Sequence, residues 1–367
     1  MSTSLLVSTR KGLFLARRNA AGFKLAKPSF FGAAVSLSMQ DPRDGALYAA
    51  LEHGHFGPKL HRSDDRGKSW REIAVPAYPK PKKSDVVTDG MGRKVPWSTT
   101  TIWALEIDPA TPGGLWCGTV PGGLFHSKDR GRSWRLMRGL WDQKVRAKWN
   151  GGGKDGPGLH SVCVDPRDPN LLTVGVSSGG IWQSFDHGET WVQAGHGLRA
   201  EHVPKGQEYD PVQQDPHRVV QCPSAPDRVW CQHHNGIFRS DDGGTTFKEI
   251  KKVTPSAFGF AVAVHPRDPD VAWFVPGVKD ECRVPGDGRF VVTQTRDGGK
   301  TFRSLANGLP KPAYDLVYRH ALDVADDGKT LAVGSTTGGL WVSANGGTKW
   351  QCLSAHLPPI YALRFTK

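Results

Sequence analysis

The chain has 367 residues, 38% of them hydrophobic, and a formal net charge of +13. Its 44 Gly, 27 Pro and 13 Trp favour many turns and short strands packed by large aromatic side chains, and they exclude a mainly helical fold. The basic residues are spread around turns apart from one cluster, "PKPKKSD" at 79–85, and no aromatic–basic platform accompanies it. A nucleic-acid partner is therefore not favoured.

The N-terminus and the cysteines favour a cytoplasmic protein. The opening "MSTSLLVSTRKGLF" lacks the apolar segment and cleavage site of a signal peptide, and no apolar run approaches the roughly 18 residues of a membrane span. No Cys-x-x-Cys pair occurs, and four of the six cysteines fall in predicted strands: Cys117, Cys163, Cys231 and Cys352. We therefore expect reduced core thiols, a cytoplasmic location and no membrane partner.

An eight-residue pattern, Ser/Thr-x-Asp-x-Gly-x-Ser/Thr-aromatic, recurs along the chain. Its copies start at Ser63, Ser127, Ser184, Ser240 and Thr295, with a worn copy at Ser343 and a degenerate one at Ala16. The Asp can accept backbone N–H bonds across a turn, and the Gly supplies a positive φ. The pattern therefore predicts a β-hairpin turn whose aromatic residue packs between neighbouring sheets.

Each repeat unit divides into four strands, which in the fourth unit are "HSVCVDP", "LLTVGVS", "GIWQSF" and "TWVQA". Seven such units predict an all-β, seven-bladed β-propeller that forms a single domain over residues 1–367. The first unit lacks its first strand, and the C-terminal "IYALRFT" supplies one, so Ile360–Thr366 should close the ring. The predicted blades span 360–366 with 4–27, then 35–74, 102–137, 159–194, 216–250, 257–305 and 317–353.

The longest irregular segments should all lie on one mouth of the ring. They are three links between blades and one loop within the sixth blade: Val75–Ser98, Met137–Gly158, Ala194–Asp215 and Gly277–Gly288. Long loops on one mouth of a rigid ring are typical of a ligand pocket, so we expect a small-molecule ligand in the central channel.

Alignment of the seven first strands places one residue of each blade at the top of this channel. The ring consists of Ser36, Trp103, His160, His217, Phe260, His320 and Tyr361. Four further histidines should lie close by in loops: His53, His55, His233 and His234. Three interpretations stay open, namely a transition-metal site for Zn or Fe, metal-free acid–base or anion-binding chemistry, and a polar channel lining that satisfies itself.

Candidate roles follow from residue type and predicted place. The metal ligands would be His160, His217 and His234, and the catalytic groups His320 with Glu208 or Asp155 as general base or fourth ligand. The substrate-binding residues would be Trp103, Trp149, Arg146, Phe260, Arg319 and Tyr361.

Several segments carry a family resemblance in addition to the repeats: "STRKGLFLA", "HFGPKLHRSDD", "WNGGGKDGPGLHSV", "QDPHRVV", "CQHHNGIFRSDDGG", "FGFAVAVHPRDPD" and "RVPGDGRF". With them the chain resembles bacterial Asp-box (BNR) repeat proteins labelled sialidase-like or glycosyl-hydrolase-like, some of them photosystem II assembly factor-like. The resemblance implies that the box joins the third and fourth strands of a blade. Sialidases have six blades and an Arg-Ile-Pro motif, which this chain lacks, so classical sialidase activity is not expected.

Three functional hypotheses result. The leading one is an enzyme that acts on a small polar or anionic molecule in a His-rich pocket, by metal-assisted hydrolysis or related chemistry. The second is a non-catalytic binding or assembly scaffold whose rim loops grip a protein partner. The third is a glycoside hydrolase that uses two of the rim carboxylates, Asp155, Glu208, Asp210 and Asp280.

Overall fold

A computed structural model describes residues 4–20, 22–81, 88, 92, 94–151 and 156–367. In this part of the chain, seven four-stranded antiparallel sheets are arranged as consecutive blades. The predicted all-β, seven-bladed propeller is confirmed.

The strands of each blade follow one another in sequence, except that the last strand joins the first blade. Blade 1 contains β1 (Ser4–Thr9), β2 (Gly12–Asn19), β3 (Gly22–Leu25) and β28 (Ile360–Phe365). Blade 2 contains β4 (Ala34–Gln40), β5 (Leu47–Glu52), β6 (Pro58–Ser63) and β7 (Arg71–Ile73). Blade 3 contains β8 (Thr101–Ile107), β9 (Leu115–Val120), β10 (Leu124–Ser127) and β11 (Arg135–Leu136).

The remaining blades repeat this order. Blade 4 contains β12 (Gly158–Val164), β13 (Leu172–Ser177), β14 (Gly180–Ser184) and β15 (Val192–Ala194). Blade 5 contains β16 (Pro216–Cys222), β17 (Ala225–His233), β18 (Gly236–Ser240) and β19 (Lys248–Glu249). Blade 6 contains β20 (Gly259–Val264), β21 (Ala272–Pro276), β22 (Val292–Thr295) and β23 (Arg303–Leu305). Blade 7 contains β24 (Leu322–Val324), β25 (Leu331–Gly334), β26 (Leu340–Ser343) and β27 (Gln351–Ser354).

In the described part of the chain, helical structure is confined to short turns in the loops. These are one α-helical turn, α1 (Arg138–Trp141), and 3-10 turns at Gly54–Phe56, Lys144–Lys148, Pro211–Gln213 and Gly286–Gly288. No helix in the described ranges is long and apolar enough to cross a membrane. All six cysteines are free, and Cys282 and Cys352 are exposed, so Cys352 is not the core thiol that its strand position predicts.

The ring is closed by pairing between the two ends of the chain. β28 runs antiparallel to β1, with Leu6 opposite Arg364 and Val7 opposite Leu363. Closure satisfies the backbone groups of β1 that would otherwise form a free sheet edge. The predicted closure by the C-terminal strand is confirmed.

The recurring box forms the turn between the third and fourth strands of its blade. In blade 4, Ser184 Oγ and the Thr190 backbone N–H both donate to Asp186 Oδ1 over 2.8 Å, and Thr190 Oγ1 donates to Oδ2 over 2.6 Å. These bonds, first that from the Thr190 hydroxyl, lower the pKa of the Asp186 carboxyl. The boxes at Asp65, Asp129, Asp242 and Asp297 repeat the bonds to the carboxylate. Box aspartates are therefore structural.

The aromatic residue of the box joins neighbouring blades. Trp191 is 5% exposed and donates its Nε1–H to the Gly188 carbonyl over 2.8 Å. It packs in one cluster with Trp116 and Met137, which belong to blade 3 and its link. The middle strands β9 and β13 are buried along their whole length, because adjacent blades cover both faces of each sheet.

A β-bulge interrupts the pairing of most first strands near the loop-rich mouth. In the first strands of blades 2 to 5 and in β28, the pairing leaves out one residue each. These residues are Ser36, Trp103, His160, His217 and Tyr361. These are residues of the predicted channel ring. A bulged residue is left out of the ladder, and its side chain is turned away from the regular alternation of the strand.

We expect Asp186→Ala to lower the free energy of unfolding by about 1–3 kcal/mol, because three hydrogen bonds of the box lose their acceptor. Asp186→Asn should cost less, since Asn345 in the last box still accepts from Ser343 Oγ and the Lys349 N–H. Urea denaturation of the three proteins measures this. Equal midpoints for the Ala variant and the parent would show that the box bonds add nothing to stability.

Candidate functional site

A cavity of about 210 Å³ opens at the loop-rich mouth of the channel. Its wall is formed by residues of blades 1, 2, 3 and 7: Ser36, Glu52, Thr101, Trp103, Tyr318, Arg319, His320 and Tyr361. The structure therefore brings together four predicted site residues, Trp103, Arg319, His320 and Tyr361.

Arg319 lies between two aromatic rings at the base of this cavity. Its Cζ is 4.9 Å from the ring centroid of Trp103 and 5.4 Å from that of Phe260, and the residue is only 6% exposed. Nη2 reaches Ser177 Oγ at 3.5 Å, whereas Nε has no hydrogen-bond partner in the described part of the chain. Burial lowers the pKa of the guanidinium to about 10, against the attraction of Asp215. Arg319 is thus a fixed, planar cation with unused hydrogen-bonding capacity.

A carboxylate and two imidazoles converge next to Arg319. Asp215 Oδ2 lies 3.5 Å from His217 Nε2 and 3.5 Å from His234 Nδ1. The three potential ligand atoms all lie within 4.8 Å of one another. Local pairing explains this. Pro216 of β16 pairs with His233 of β17, which places Asp215 beside His234, and His217 is the residue that the bulge leaves out of the pairing.

Further hydrogen bonds fix the orientation of Asp215 and His217. Asp215 Oδ1 accepts from Ser177 Oγ and from the Ser178 N–H, each over 3.0 Å. His217 Nδ1 is 2.7 Å from the Gly259 carbonyl oxygen. A carbonyl only accepts, so the proton is assigned to Nδ1, and Nε2 of the neutral ring presents a lone pair to the carboxylate. Two acceptors that face each other at 3.5 Å need a cation or a proton between them.

The electrostatics of the group reflect this arrangement. Burial disfavours the charged carboxylate, but with a proton on the imidazole nitrogens that face it, hydrogen bonds from His217 and His234 outweigh burial and hold the pKa of Asp215 well below its usual value. Burial lowers the pKa of His217, whose ring stacks on Phe260 at 4.3 Å. Hydrogen bonding to Asp215 raises the pKa of the half-buried His234.

The donor set matches a divalent transition metal. Two imidazoles and one carboxylate are the ligands of many Zn and non-haem Fe sites. Metal-binding histidines commonly donate their other N–H to a backbone carbonyl, as His217 does to Gly259. The residues present therefore fit a metal ion at Asp215, His217 and His234.

His160 is not part of this group. Its Nε2 is 2.8 Å from the Pro216 carbonyl oxygen, and its Nδ1 is 2.9 Å from Ser161 Oγ. The ring is fully buried and meets Trp103 edge to face at 5.5 Å. Both ring nitrogens are bonded within the protein, so His160 positions Trp103 and supplies no free ligand atom.

Arg146 and Trp149 lie in the packed link between blades 3 and 4. The Arg146 guanidinium stacks on Trp141 with Cζ 3.4 Å from the ring centroid, and it donates to the Trp141 carbonyl over 3.0 Å. Trp149 is fully buried and packs on Trp182 at 5.9 Å. The long link buries its own aromatic residues, and the structure does not bring these two side chains to the cavity wall.

The described rim carboxylates bond to groups of the inter-blade links and loops. The Glu208 carboxylate accepts from the Gly206 N–H, Asp210 accepts from Gln213 and lies 3.6 Å from Lys148 Nζ, and Asp280 pairs with Arg283. Asp155 lies outside the described residues. The carboxylate beside the histidines is instead Asp215, which sequence reasoning did not assign. The Asp-Pro-His sequence at 215–217, with an Asp two residues ahead of a ring histidine, is the signal that could have found it.

A second Asp–His–His group lies on the opposite face of the ring. His126 Nε2 and His187 Nε2 are 2.8 and 3.1 Å from the two oxygens of Asp108, and the Ala110 N–H also donates to this carboxylate. These are ordinary hydrogen-bond distances, and Asp108 is fully buried. Each imidazole can act as the N–H donor here, so the group needs no cation.

The same inter-blade contact recurs one blade earlier with arginines. Arg62 and Arg130, at the places in the repeat that His126 and His187 occupy, approach Asp44 at 2.8 and 3.5 Å. The Asp108 group is therefore a structural contact between blades 3 and 4.

The repeat and the fold agree with comparisons to known proteins. Residues 60–73 match the family model of the BNR-Asp box repeat. The predicted resemblance to Asp-box repeat proteins is confirmed. The chain is 25% identical over 294 residues to the "Probable oligoxyloglucan-reducing end-specific xyloglucanase" of Neosartorya fischeri, which covers 69% of this chain and 32% of that protein.

Solved structures show the same fold. The GH74 enzyme of Niastella koreensis superimposes with a TM-score of 0.64 at 18% identity, over 94% of this chain and 51% of that one. YCF48 from Cyanidioschyzon merolae superimposes with a TM-score of 0.55 at 13% identity, over 89% and 87%. The chain thus spans about a third of the xyloglucanase and about half of the GH74 enzyme. At these identities the structures establish a shared fold alone.

The other mouth of the channel holds a separate ionic group. Arg364 donates to both oxygens of Glu106 over 2.8 and 2.6 Å, and Asp323 Oδ2 accepts from the Phe365 N–H over 2.7 Å. Burial raises the pKa of Asp323 to about 6, although Arg364 opposes this. These side chains line a cavity of about 340 Å³ together with valines of the first strands.

We expect Asp323 to make a contribution to the free energy of unfolding that falls as pH rises from about 4 to about 6. The folded protein holds the Asp323 proton more tightly than the unfolded chain, so this stabilisation is complete below the unfolded pKa and is lost as pH passes the folded value. Asp323→Asn should remove this contribution and gain stability relative to the parent above pH 6. Urea denaturation of both proteins between pH 4 and 7.5 measures the difference, and a pH-independent difference would contradict the assignment.

Proposed function

We propose that the protein is a metal-dependent hydrolase that acts on a small polar or anionic molecule at the loop-rich mouth of the channel. The observation that carries the proposal is the convergence of Asp215, His217 and His234, with a histidine lone pair facing the carboxylate. The cavity would receive the substrate, and Arg319, which lines it, is near enough to Asp215 to lower the pKa of that carboxyl.

The chemistry follows from the three ligands. Asp215, His217 and His234 would hold a Zn²⁺ or Fe²⁺ ion, which would supply an activated water for hydrolysis. Hydrolysis would join the water oxygen to the electrophilic carbon or phosphorus atom of the substrate and break the bond to the leaving group. The leaving group would take up the proton that the water loses.

The comparisons support hydrolysis as the reaction class. The curated relative from Neosartorya fischeri is named as a xyloglucanase, and the chain aligns with it over 69% of its own length. Asp215, His217 and His234 are a separate reason to propose metal assistance, because they do not depend on the similarity to the xyloglucanase.

The same similarity favours a second candidate, a glycoside hydrolase without metal. It would need two carboxylates that flank the scissile bond, about 5 to 9.5 Å apart. The test is an assay for the release of reducing ends from xyloglucan oligosaccharides. Activity that is lost in Glu208→Gln but unaffected by a chelator would favour this candidate over the metal-dependent hydrolase.

We expect protein purified without chelator to contain about one equivalent of Zn or Fe, as measured by plasma mass spectrometry. His217→Ala/His234→Ala should lose it and should weaken Zn²⁺ binding in calorimetry by more than about 100-fold, because two of three ligands are gone. His126→Ala is a matched control that removes a histidine of the structural Asp108 group.

Retention of the metal by the double variant, or no Zn²⁺ or Fe²⁺ binding by the parent protein, would contradict the metal site. Activity would be assayed on small esters, amides and phosphate esters with and without chelator. Hydrolysis that survives complete metal removal would contradict metal dependence.

A further inference from the structure

We propose that the cavity beside the candidate metal site binds an oxyanion of the substrate, a carboxylate or a phosphate, through Arg319. The inference rests on the proposed function only for the position of the reactive bond. The binding of the oxyanion depends on Arg319 and its surroundings, which are argued independently.

Arg319 forms no ion pair in the described part of the chain, although Asp215 lies near enough to attract it. Its only hydrogen bond among the described residues is the long one from Nη2 to Ser177. A buried cation without a partner is costly unless a ligand supplies the opposite charge. The guanidinium therefore marks a place for an anion.

Asp215 cannot serve as this partner once a metal is bound. One of its oxygens already accepts from Ser177 and Ser178, and the other faces the two histidines. Under the proposed function, a divalent ion at the histidines would add positive charge near Arg319 and would further favour an anion in the cavity.

The geometry of Arg319 favours an oxyanion over a halide or a single hydroxyl. Trp103 and Phe260 lie near its Cζ at 4.9 and 5.4 Å, and these contacts fix the side chain. A guanidinium directs its N–H groups within its own plane, and this fork matches the paired oxygens of a carboxylate or phosphate. The wall also carries the polar side chains of Ser36, Glu52 and Thr101. His320 adds an imidazole whose Nε2 has no partner in the described structure.

The rest of the cavity suits an organic group attached to the oxyanion. Trp103, Tyr318 and Tyr361 contribute aromatic surface, with the two tyrosine rings 5.9 Å apart. The volume of about 210 Å³ is below the roughly 300–1,000 Å³ of pockets for drug-sized ligands. The part of the ligand inside is therefore a small organic acid or a small phosphate ester.

Calorimetry with benzoate, phenyl phosphate, inorganic phosphate and the neutral isostere benzamide tests the proposal. We expect one of the two aromatic anions to bind at least tenfold more tightly than benzamide. Arg319→Gln should weaken that binding at least tenfold, and Arg319→Lys should weaken it less. Arg283→Gln is the matched control, since Arg283 also lies near Phe260, at 5.4 Å, but is exposed and paired with Asp280.

Preference for benzoate identifies a carboxylate subsite, and preference for phenyl phosphate or inorganic phosphate identifies a phosphate subsite. Equal binding of benzoate, phenyl phosphate and benzamide, or binding unchanged in a folded Arg319→Gln variant, would overturn the proposal. Should that variant unfold, saturation-transfer NMR on the parent protein gives the answer, because displacement of phenyl phosphate by benzamide at equal concentration would equally overturn it.

Metal content is measured in the same samples. If the protein holds no metal but binds the anion through Arg319, the proposed function is contradicted and this inference stands. If the protein holds about one equivalent of metal but binds no anion through Arg319, this inference is contradicted and the proposed function stands.

Discussion

Closure of the ring by β28 is the constraint on which the rest of the structure depends. Each blade is covered on both faces only because it has two neighbours, and the first and last blades become neighbours when the C-terminal strand pairs with β1. The wall of the mouth cavity depends on this closure, because Tyr361 comes from β28, whereas Arg319 comes from blade 7 and Trp103 from blade 3. The candidate site therefore exists only in the closed ring.

The candidate site combines two unmet electrostatic requirements. At Asp215 and His217 an oxygen and a nitrogen lone pair face each other, which a cation would satisfy. At Arg319 a buried guanidinium lacks a paired carboxylate among the described residues, which an anion would satisfy. The contrast with the Asp108 group, where similar residue types satisfy each other over 2.8 and 3.1 Å, shows that residue type alone does not make a site.

Much of the site was predictable because the repeat fixes equivalent positions in every blade. Alignment of the first strands placed Trp103, His320 and Tyr361 at the mouth, and the structure finds all three in the cavity wall. The alignment could not show that His160 bonds to the Pro216 carbonyl of the next blade, since that contact depends on the separation of two strands. It also could not show that Trp149 is fully buried, because the fold of a long link has no repeat to guide it.

The sequence by itself determined the number of blades, the box turns and the strand that closes the ring. These features are local or periodic, since turn chemistry and strand patterns act over a few residues and recur in each unit. Only the tertiary structure decided which polar groups are left without partners. Asp215 and Arg319 are distant in the chain. Asp215 depends on Ser177, its neighbour His217 on Gly259, and Arg319 on Phe260, and each of these contacts comes from another blade. Such contacts arise when blades pack together, so no pattern within one unit encodes them.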